Sequence, residues 1–313
     1  MNKRKLAWLI LFLLPVEIGW GAIFGLSSDA AQPETVPVSV VVSVEAKHGG
    51  EVPAISREDV RAIQGSTRLQ VTDWVPLQED RAGLELFVLL DDATNPVVSL
   101  QFEDLRQFMS GQPASTAIAV GYMHYGTVEI VQNFTKDHEQ AEKALRMPLG
   151  SFGMPASPYL SISDLIKRWP EITARREIFV VSSGIDRLYG GPSDPYLTEM
   201  IERAQRAGIQ IYAIYASGAG HFGHSFWRFN WGQNNLSQLA DETGGEFYVQ
   251  GFQTPVAFKP FMDEFADRLR HQYRLTFLAK PEKKGTYQHV RLETEVPKAE
   301  LVTADRVYVP AAK

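Results

Sequence analysis

The sequence predicts an α/β fold: a doubly wound, mostly parallel sheet with helices on both faces, together with a small β-sandwich formed by the N- and C-terminal segments. Apolar runs at 84–90 and 177–181 are typical of strands buried on both faces. Amphipathic helix patterns alternate with these runs, which is the order of a parallel sheet. The segments at the two ends of the chain carry strand patterns alone, and each has too few strands to bury both faces of a sheet.

The elements follow in chain order from these patterns. Strands are predicted at 38–44, 68–75, 84–90, 116–123, 127–134, 177–181, 209–216, 246–249, 273–278, 289–296 and 301–309. Residues 124–126 would turn the fourth and fifth of these into a hairpin. Asp194 before Pro195 is a good helix start and Gly208 a good stop. Other helices are predicted around 100–109, 141–145, 165–166 and 258–269, and one after Asn234.

The predicted organisation has four parts. Residues 1–30 form an export signal or an N-terminal anchor, 35–80 a β segment, 82–272 the α/β domain, and 273–310 a second β segment that packs with the first. The signal is indicated by basic residues 2–5 and the apolar run 6–14. Residues 6–26 are long enough for a membrane anchor, but Glu17 near their middle is costly in a bilayer. We therefore expect a cleaved signal and a periplasmic or extracellular protein of a bacterial envelope.

Composition excludes several functional classes. The chain has 31 basic and 37 acidic residues and a formal net charge of -6, whereas nucleic-acid binding usually needs a basic face. It has no cysteine, which excludes thiol catalysis, disulfides, cysteine-ligated metals and a lipid-anchoring cysteine. A metal ion here would need oxygen or imidazole ligands.

Several motifs appear in an order that resembles the von Willebrand factor type A domain, over about residues 82–272. They are the strand end at 89–91, the Ser183-Gly184 step and residues 242–245 before the last strand of the domain. The flanks, with Glu58-Asp59-Val60 before the domain and Gln272-Tyr273 after it, resemble bacterial exported proteins of this kind. The resemblance implies an interaction or adhesion module that is not an enzyme and binds a protein partner.

The resemblance also implies a metal-ion-dependent adhesion site at the carboxyl ends of the strands. In that family, hydroxyls and carboxylates coordinate the ion and one position stays open for a partner's carboxylate. Ala93 replaces one serine of the motif, so the site is degenerate, and Asp92 is a candidate substitute for the missing charge. Mg²⁺ or Mn²⁺ held at low affinity is the only cofactor it suggests. The candidate ligands are Asp91, Asn95, Ser157 (or Ser161), Ser183 and Asp186. Asp91 capping a helix or bonding loop amides is the alternative.

The aromatic segment 218–233 is the second candidate site. Its aromatic density is typical of a lid packed over the sheet edge, whereas exposed Trp and Arg side chains are typical of interfaces. His221 and His224 have a spacing that suits zinc or copper, but no third ligand of the metalloprotease kind follows. The partner-binding candidates are Asp92, His221, His224, Trp227 and Trp231.

Two enzymatic or nucleotide-binding interpretations are weaker. Residues 218–223 spell G-x-G-x-x-G, but they follow a late strand and no helix is expected before Asn234, so nucleotide binding is not predicted. The alternative to a binding module is a hydrolase or metal-dependent enzyme that uses Ser183, Asp186, His221 and His224.

Overall fold

The structure, a computed structural model, describes residues 35–47, 49–150, 156–170, 172, 174–189, 191, 193–220 and 225–311, all within one compact unit. The predicted signal or anchor, residues 1–30, lies outside these residues, as do His221 and His224. In the described part of the chain, no helix has the length and apolar character that a membrane crossing requires.

Strands and helices have the following bounds in the described residues. The strands are β1 (Val36–Ala46), β2 (Val60–Gln64), β3 (Thr67–Pro76), β4 (Leu84–Asp91), β5 (Thr116–His124), β6 (Thr127–Thr135), β7 (Arg175–Ser182), β8 (Ile209–Tyr215), β9 (Phe247–Tyr248), β10 (Gln272–Ala279), β11 (Thr286–Thr294), β12 (Ala299–Val302) and β13 (Arg306–Val309). The α-helices are α1 (Phe102–Ser110), α2 (His138–Lys143), α3 (Pro158–Arg168), α4 (Pro195–Ala207), α5 (Phe226–Thr243) and α6 (Lys259–Arg270).

Six strands form a mostly parallel sheet in the order β6-β5-β4-β7-β8-β9. Only β6 runs antiparallel to its neighbour, because the two-residue turn Tyr125-Gly126, with positive φ at both positions, closes a hairpin. Counted from β4, the order is 3-2-1-4-5-6, which is that of a doubly wound fold. The predicted mixed α/β class is therefore confirmed.

Helices cover both faces of this sheet. Helices α1, α2 and α6 pack on one face around Phe265, whose ring stacks on the rings of Phe108 and Phe179. Helices α3, α4 and α5 pack on the other face. The central strands β4, β7 and β8 carry buried side chains on both faces of the sheet, so an apolar core lies on each side of it.

The remaining strands form one antiparallel sheet in the order β12-β1-β10-β3-β2-β11-β13. It combines strands from both ends of the chain. The sheet curls, so that β13 approaches β1 and β11 approaches β12, and it encloses a separate apolar core that includes Val42, Leu275 and Phe277. A two-layered sandwich remains a prediction.

Two helix starts show how far local sequence signals reach. Helix α4 begins and ends where predicted: the Asp194 carboxylate accepts a hydrogen bond from the Tyr196 amide at 2.8 Å, and Gly208 ends the helix with φ of 64°. The prediction that no helix precedes Asn234 is wrong, since α5 begins at Phe226. The side chain before it, Ser225, makes no capping bond, so tertiary packing and not a local start signal sets this end.

Candidate functional site

The candidate site lies at the carboxyl ends of the parallel strands, where the strand order reverses between β4 and β7. Open α/β sheets place their ligand sites at this crevice. We call this edge the top face. It comprises the segments that follow the strands (92–101, 125–126, 183–189, 217–220 and 249–256), the loop after α2 (144–150) and the start of α5 (225–231). Leu90 and Val181 are partners in the sheet register, so Asp91 and Ser182, the next residues, stand side by side.

Asp91 is buried, and each of its carboxylate oxygens accepts a hydrogen bond from the protein. One carboxylate oxygen, Oδ1, accepts a hydrogen bond from the Ala93 amide at 2.8 Å, and Oδ2 accepts one from the Ser182 hydroxyl at 2.7 Å. Burial raises the pKa of Asp91, while these two hydrogen bonds and the charge of Arg187 lower it. The sequence interpretation that Asp91 bonds a loop amide is thus seen in the structure.

Asp92 is also buried, and Arg146 neutralises it. The guanidinium donates to both carboxylate oxygens, at 2.7 and 2.9 Å, and lies 3.6 Å from the centre of the Tyr122 ring. The Leu149 amide donates to Oδ1 of Asp92 at 3.1 Å. This bidentate pair fixes the loop at 144–150 against the sheet. Asp92 therefore has an internal structural partner, and its side chain is 2% exposed.

Ser157 and Asp186 lie together on the other side of Asp91's strand end. The Ser157 hydroxyl donates to Asp186 Oδ2 and accepts a bond from the Leu160 amide at 3.2 Å, which caps α3. The other oxygen of Asp186 accepts from the amides of Leu188 and Tyr189, at 2.7 and 2.9 Å. The cluster closes the loop after β7.

The remaining candidate ligands also form hydrogen bonds with backbone groups close to them in the chain. Asn95 Oδ1 accepts from the Val97 amide at 3.1 Å and so caps the short 3-10 helix at 96–101. Ser183 Oγ accepts from the Ile185 amide at 3.4 Å, and Ser161 donates to the Ser157 carbonyl at 3.0 Å. The structure thus brings Asp91, Ser182 and Ala93 into direct contact, and joins Ser157 to Asp186 as a separate pair.

These contacts test whether a divalent cation fits. A Mg²⁺ site needs about six oxygen donors in octahedral geometry. Ala93 offers no side-chain donor, and the oxygens of Asp91, Asn95 and Asp186 already accept protein hydrogen bonds. Among the described residues, no group of three acidic or histidine side chains is arranged to hold a metal ion. The described residues therefore fit a divalent cation incompletely.

Within the aromatic segment, the first residues of α5 are exposed and Trp231 is half-buried. Trp227 is 66% exposed and Phe226 is 60% exposed, and their rings form an edge-to-face pair. Trp231 is half-buried beside the loop after β7, where Gly232 lies against the carbonyl of Ser183. The lid interpretation therefore suits Trp231, and the exposed-anchor interpretation suits Trp227.

Three features of the site have no counterpart in the sequence predictions. Ser182, and not Ser183, contacts Asp91; strand register identifies it, because both residues end neighbouring parallel strands. Arg146 is 54 positions from Asp92 and lies in a loop, so no local pattern marks it. Backbone bonds of Asn95 to Ser217 and of Ala219 to Ala93 join two loops through the bridge between Thr94 and Gly218.

Exposed apolar side chains concentrate on the top face. Of the fourteen large apolar side chains exposed in the described part of the chain, twelve lie there; the exceptions are Val131 on β6 and Ile172 before β7. The twelve are Val97, Leu100, Tyr125, Met147, Leu149, Leu188, Tyr189, Phe226, Trp227, Val249, Phe252 and Val256. Apolar surface that clusters on one face of a protein marks an interaction site.

Comparisons with known proteins give similar folds alone. No protein-family model matches the chain, and no curated protein matches it. Among solved structures, an aerotolerance-related membrane protein from Bacteroides fragilis is 14% identical, with a TM-score of 0.43, over 60% of this chain and 98% of its own. A von Willebrand factor type A protein from Catenulispora acidiphila is 9% identical, with a TM-score of 0.43, over 90% and 74% of the two chains.

A third solved structure is the ArnB paralog VWA2 from Sulfolobus acidocaldarius, 8% identical, with a TM-score of 0.41, over 88% of this chain and 76% of its own. The six-stranded sheet of this chain has the order 3-2-1-4-5-6, with one antiparallel strand and helices on both faces. The α/β part of this chain is similar to the von Willebrand factor type A domains, as the order of its sequence motifs implied.

Proposed function

We propose that this protein is a non-enzymatic interaction module that binds a protein partner through its top face. The observation that carries the proposal is the concentration of twelve exposed apolar side chains on that face. Interfaces are enriched in aromatic residues, Met and Arg, and Trp227, Tyr189 and Met147 are among the exposed set. Burying them against a partner would remove apolar surface from water, which is the main favourable term in association.

The buried aspartates of the top face favour a partner held mainly by apolar contacts. Asp91, Asp92 and Asp186 point into the protein and are bonded there. Trp227 and Leu188 are instead exposed to solvent. The adhesion-type mode, in which a bound cation receives a partner's carboxylate, is the alternative to this apolar mode, and it would require Mg²⁺ or Mn²⁺ held at low affinity.

The proposed location is extracytoplasmic, and it rests on the sequence of residues 1–30. Basic residues followed by a short apolar run and small residues form the pattern of an export signal. Fractionation of cells that express the full chain tests this, with the mature mass and compartment as readouts. A chain found intact in the cytoplasm contradicts export without affecting the proposed surface.

Site-specific photocrosslinking tests the partner surface. A photoreactive amino acid replaces Leu188 or Trp227 on the top face, or Val131 on β6 as a matched exposed apolar control. We expect the two top-face positions to give the same crosslinked partner and Val131 to give none. Crosslinks from Val131 alone, or equal crosslinks from all three positions, contradict the proposal.

A further inference from the structure

A groove of about 560 Å³ crosses the top face between the loop after β4 and the loop after β9. Val97 and Leu100 form one wall, Phe252 and Val256 form the other, and Phe229 of α5 contributes to the lining. The volume lies within the range of about 300–1,000 Å³ that is usual for ligand sites. The groove is thus large enough to accept several side chains of a bound segment.

The walls of this groove are exposed and apolar. Val256 is 83% exposed, Leu100 is 73% exposed, Phe252 is 55% exposed and Val97 is 47% exposed. Two of them, Val256 and Leu100, have the highest exposures among the large apolar side chains of the described residues. Full burial of a Leu or Val side chain is favourable by about 1.5–3 kcal/mol, so these walls are effective anchors.

The lining carries no charge. Its remaining members are uncharged polar residues or proline: Asn95, Gln101, Ser217, Gln253, Thr254 and Pro255. The chain has 31 basic and 37 acidic residues, yet none of them lines this groove. A charged occupant would lose its hydration here without gaining a charged partner, so the groove disfavours it. The groove is therefore complementary to a peptide segment that carries no charged side chains.

Two amide side chains offer hydrogen bonds to such a segment. Gln101 and Gln253, from the opposite walls, make no side-chain hydrogen bond within the described residues. Ser217, in the loop after β8, is already bonded to Thr254 at 3.1 Å, and its carbonyl accepts a bond from the Asn95 amide at 2.8 Å, so it links the two walls. An amide has both donors and an acceptor, which match the N–H and C=O groups of a peptide backbone.

We propose that this groove binds a short, uncharged, apolar peptide segment of the partner protein, with its side chains on Leu100, Phe252 and Val256. The inference rests on the proposed function and names the chemistry of the partner. Recognition here uses apolar burial and backbone hydrogen bonds, and it needs neither a bound cation nor a partner carboxylate. It is therefore insensitive to chelator and only weakly dependent on salt.

The test uses the purified full chain and a phage library of random seven-residue peptides as the probe. Selected peptides are synthesised, and their affinities are measured for the wild type and for Leu100→Glu, Val256→Glu and Val131→Glu. The first two changes put a carboxylate on opposite walls of the groove, and the third puts one on an exposed apolar position of β6. Circular dichroism and the Tm of each variant verify that it folds.

We expect the selected peptides to be apolar and free of Asp, Glu, Lys and Arg, and to bind equally with EDTA and in molar salt. Each groove substitution should weaken binding by about tenfold or more, and Val131→Glu should leave it unchanged. Selection of carboxylate-bearing peptides that need Mg²⁺, unchanged binding in both groove variants, or no selected peptide overturns the inference. Loss of binding to phosphatidylcholine vesicles in the groove variants, without peptide binding, assigns the groove to a lipid surface instead.

Different results would contradict the proposed function and the proposed peptide groove. If Trp227 and Leu188 crosslink a partner but the groove variants bind it normally, the top face remains the interaction surface and the groove is not its peptide site. If neither set of positions affects partner binding, both proposals are wrong.

Discussion

The hydroxyl of Ser182 donates a 2.7 Å hydrogen bond to the carboxylate of Asp91 across two neighbouring parallel strands. The same hydroxyl accepts a bond from the Gly184 amide at 3.0 Å, so it joins the strand end of β4 to the loop after β7. Both side chains are buried, Asp91 with 4% and Ser182 with 0% of its surface exposed. A small polar unit thus holds the centre of the top face.

Replacing Ser182 by Ala should destabilise the protein by about 1–3 kcal/mol, because it leaves a buried carboxylate oxygen without its donor. Urea denaturation measures the free energy of unfolding. Ser183→Ala is the matched control, since within the described residues that hydroxyl makes one long bond alone, which it accepts from the Ile185 amide at 3.4 Å. An equal loss in both variants contradicts the assigned role of Ser182.

The Ser183→Ala variant also tests the hydrolase alternative. In the described residues, Ser183 has no histidine partner, and the two histidines proposed for it lie outside them. We expect the wild type to hydrolyse p-nitrophenyl esters no faster than buffer. Hydrolysis by the wild type that Ser183→Ala abolishes, with no change in Tm, would establish an enzyme.

Equilibrium dialysis with Mg²⁺ and Mn²⁺ tests the degenerate metal site. The oxygens of Asp91 and Asp186 already accept protein hydrogen bonds and Ala93 supplies no donor, so we expect no stoichiometric binding at millimolar metal. The wild type is compared with Asp91→Asn, which removes the anionic charge. Saturable binding of one ion per chain that Asp91→Asn abolishes shows that the cation displaces these bonds and that the adhesion-type site functions.

Glu177 predicts a pH-dependent stability. It lies in β7 near the curled sheet, its side chain is 1% exposed, and neither carboxylate oxygen has a hydrogen-bond partner within the described residues. Burial raises its pKa from 4.5 to about 7, although the charge of Arg175 lowers it. The folded state therefore binds more protons than the unfolded state between these two values.

The free energy of unfolding contributed by Glu177 should be greatest below pH 4.5 and fall by about 3 kcal/mol as the pH rises to 7. Denaturation curves of the wild type and Glu177→Gln across this window measure the effect, since the amide cannot ionise. The difference between the two proteins should depend on pH. Glu199→Gln, at an exposed position of α4, is the control and should not flatten the profile.

Gly184 and Gly208 form a matched pair for backbone packing. Both have positive φ, 65° and 64°, so an alanine at either position has the same conformational cost of about 1–2 kcal/mol. A Cβ atom at Gly184 would lie 2.2 Å from the carbonyl oxygen of Gly232. A Cβ atom at Gly208 would have no atom within 4 Å. Gly184→Ala should therefore lower the Tm much further than Gly208→Ala. Equal shifts contradict direct backbone contact between α5 and the loop after β7.

Much of the fold follows from residues that signal locally. The apolar runs at 84–90 and 177–181 give two central strands, and Asp194-Pro195 and Gly208 give both ends of α4. The start of α5 could not be predicted from local sequence, because Ser225 makes no capping bond. The helix is held instead by the contact of Gly232 with the loop after β7, which is a tertiary contact. Within the site, Asp91 stands out as a strand-end carboxylate. Its partner Ser182 requires the register between strands, and Arg146 requires the path of a loop.

The curled sheet has a consequence for how the chain is made. β1 pairs with β10 and β12 alone, and its end at Ala46 is 226 positions before the start of β10 at Gln272. During synthesis, β1 must therefore remain an unpaired, β-branched segment until nearly the whole chain has emerged. Such long-range pairing slows folding and leaves a strand edge open to aggregation. A chaperone that shields this segment until β10 has emerged would therefore raise the yield of folded protein.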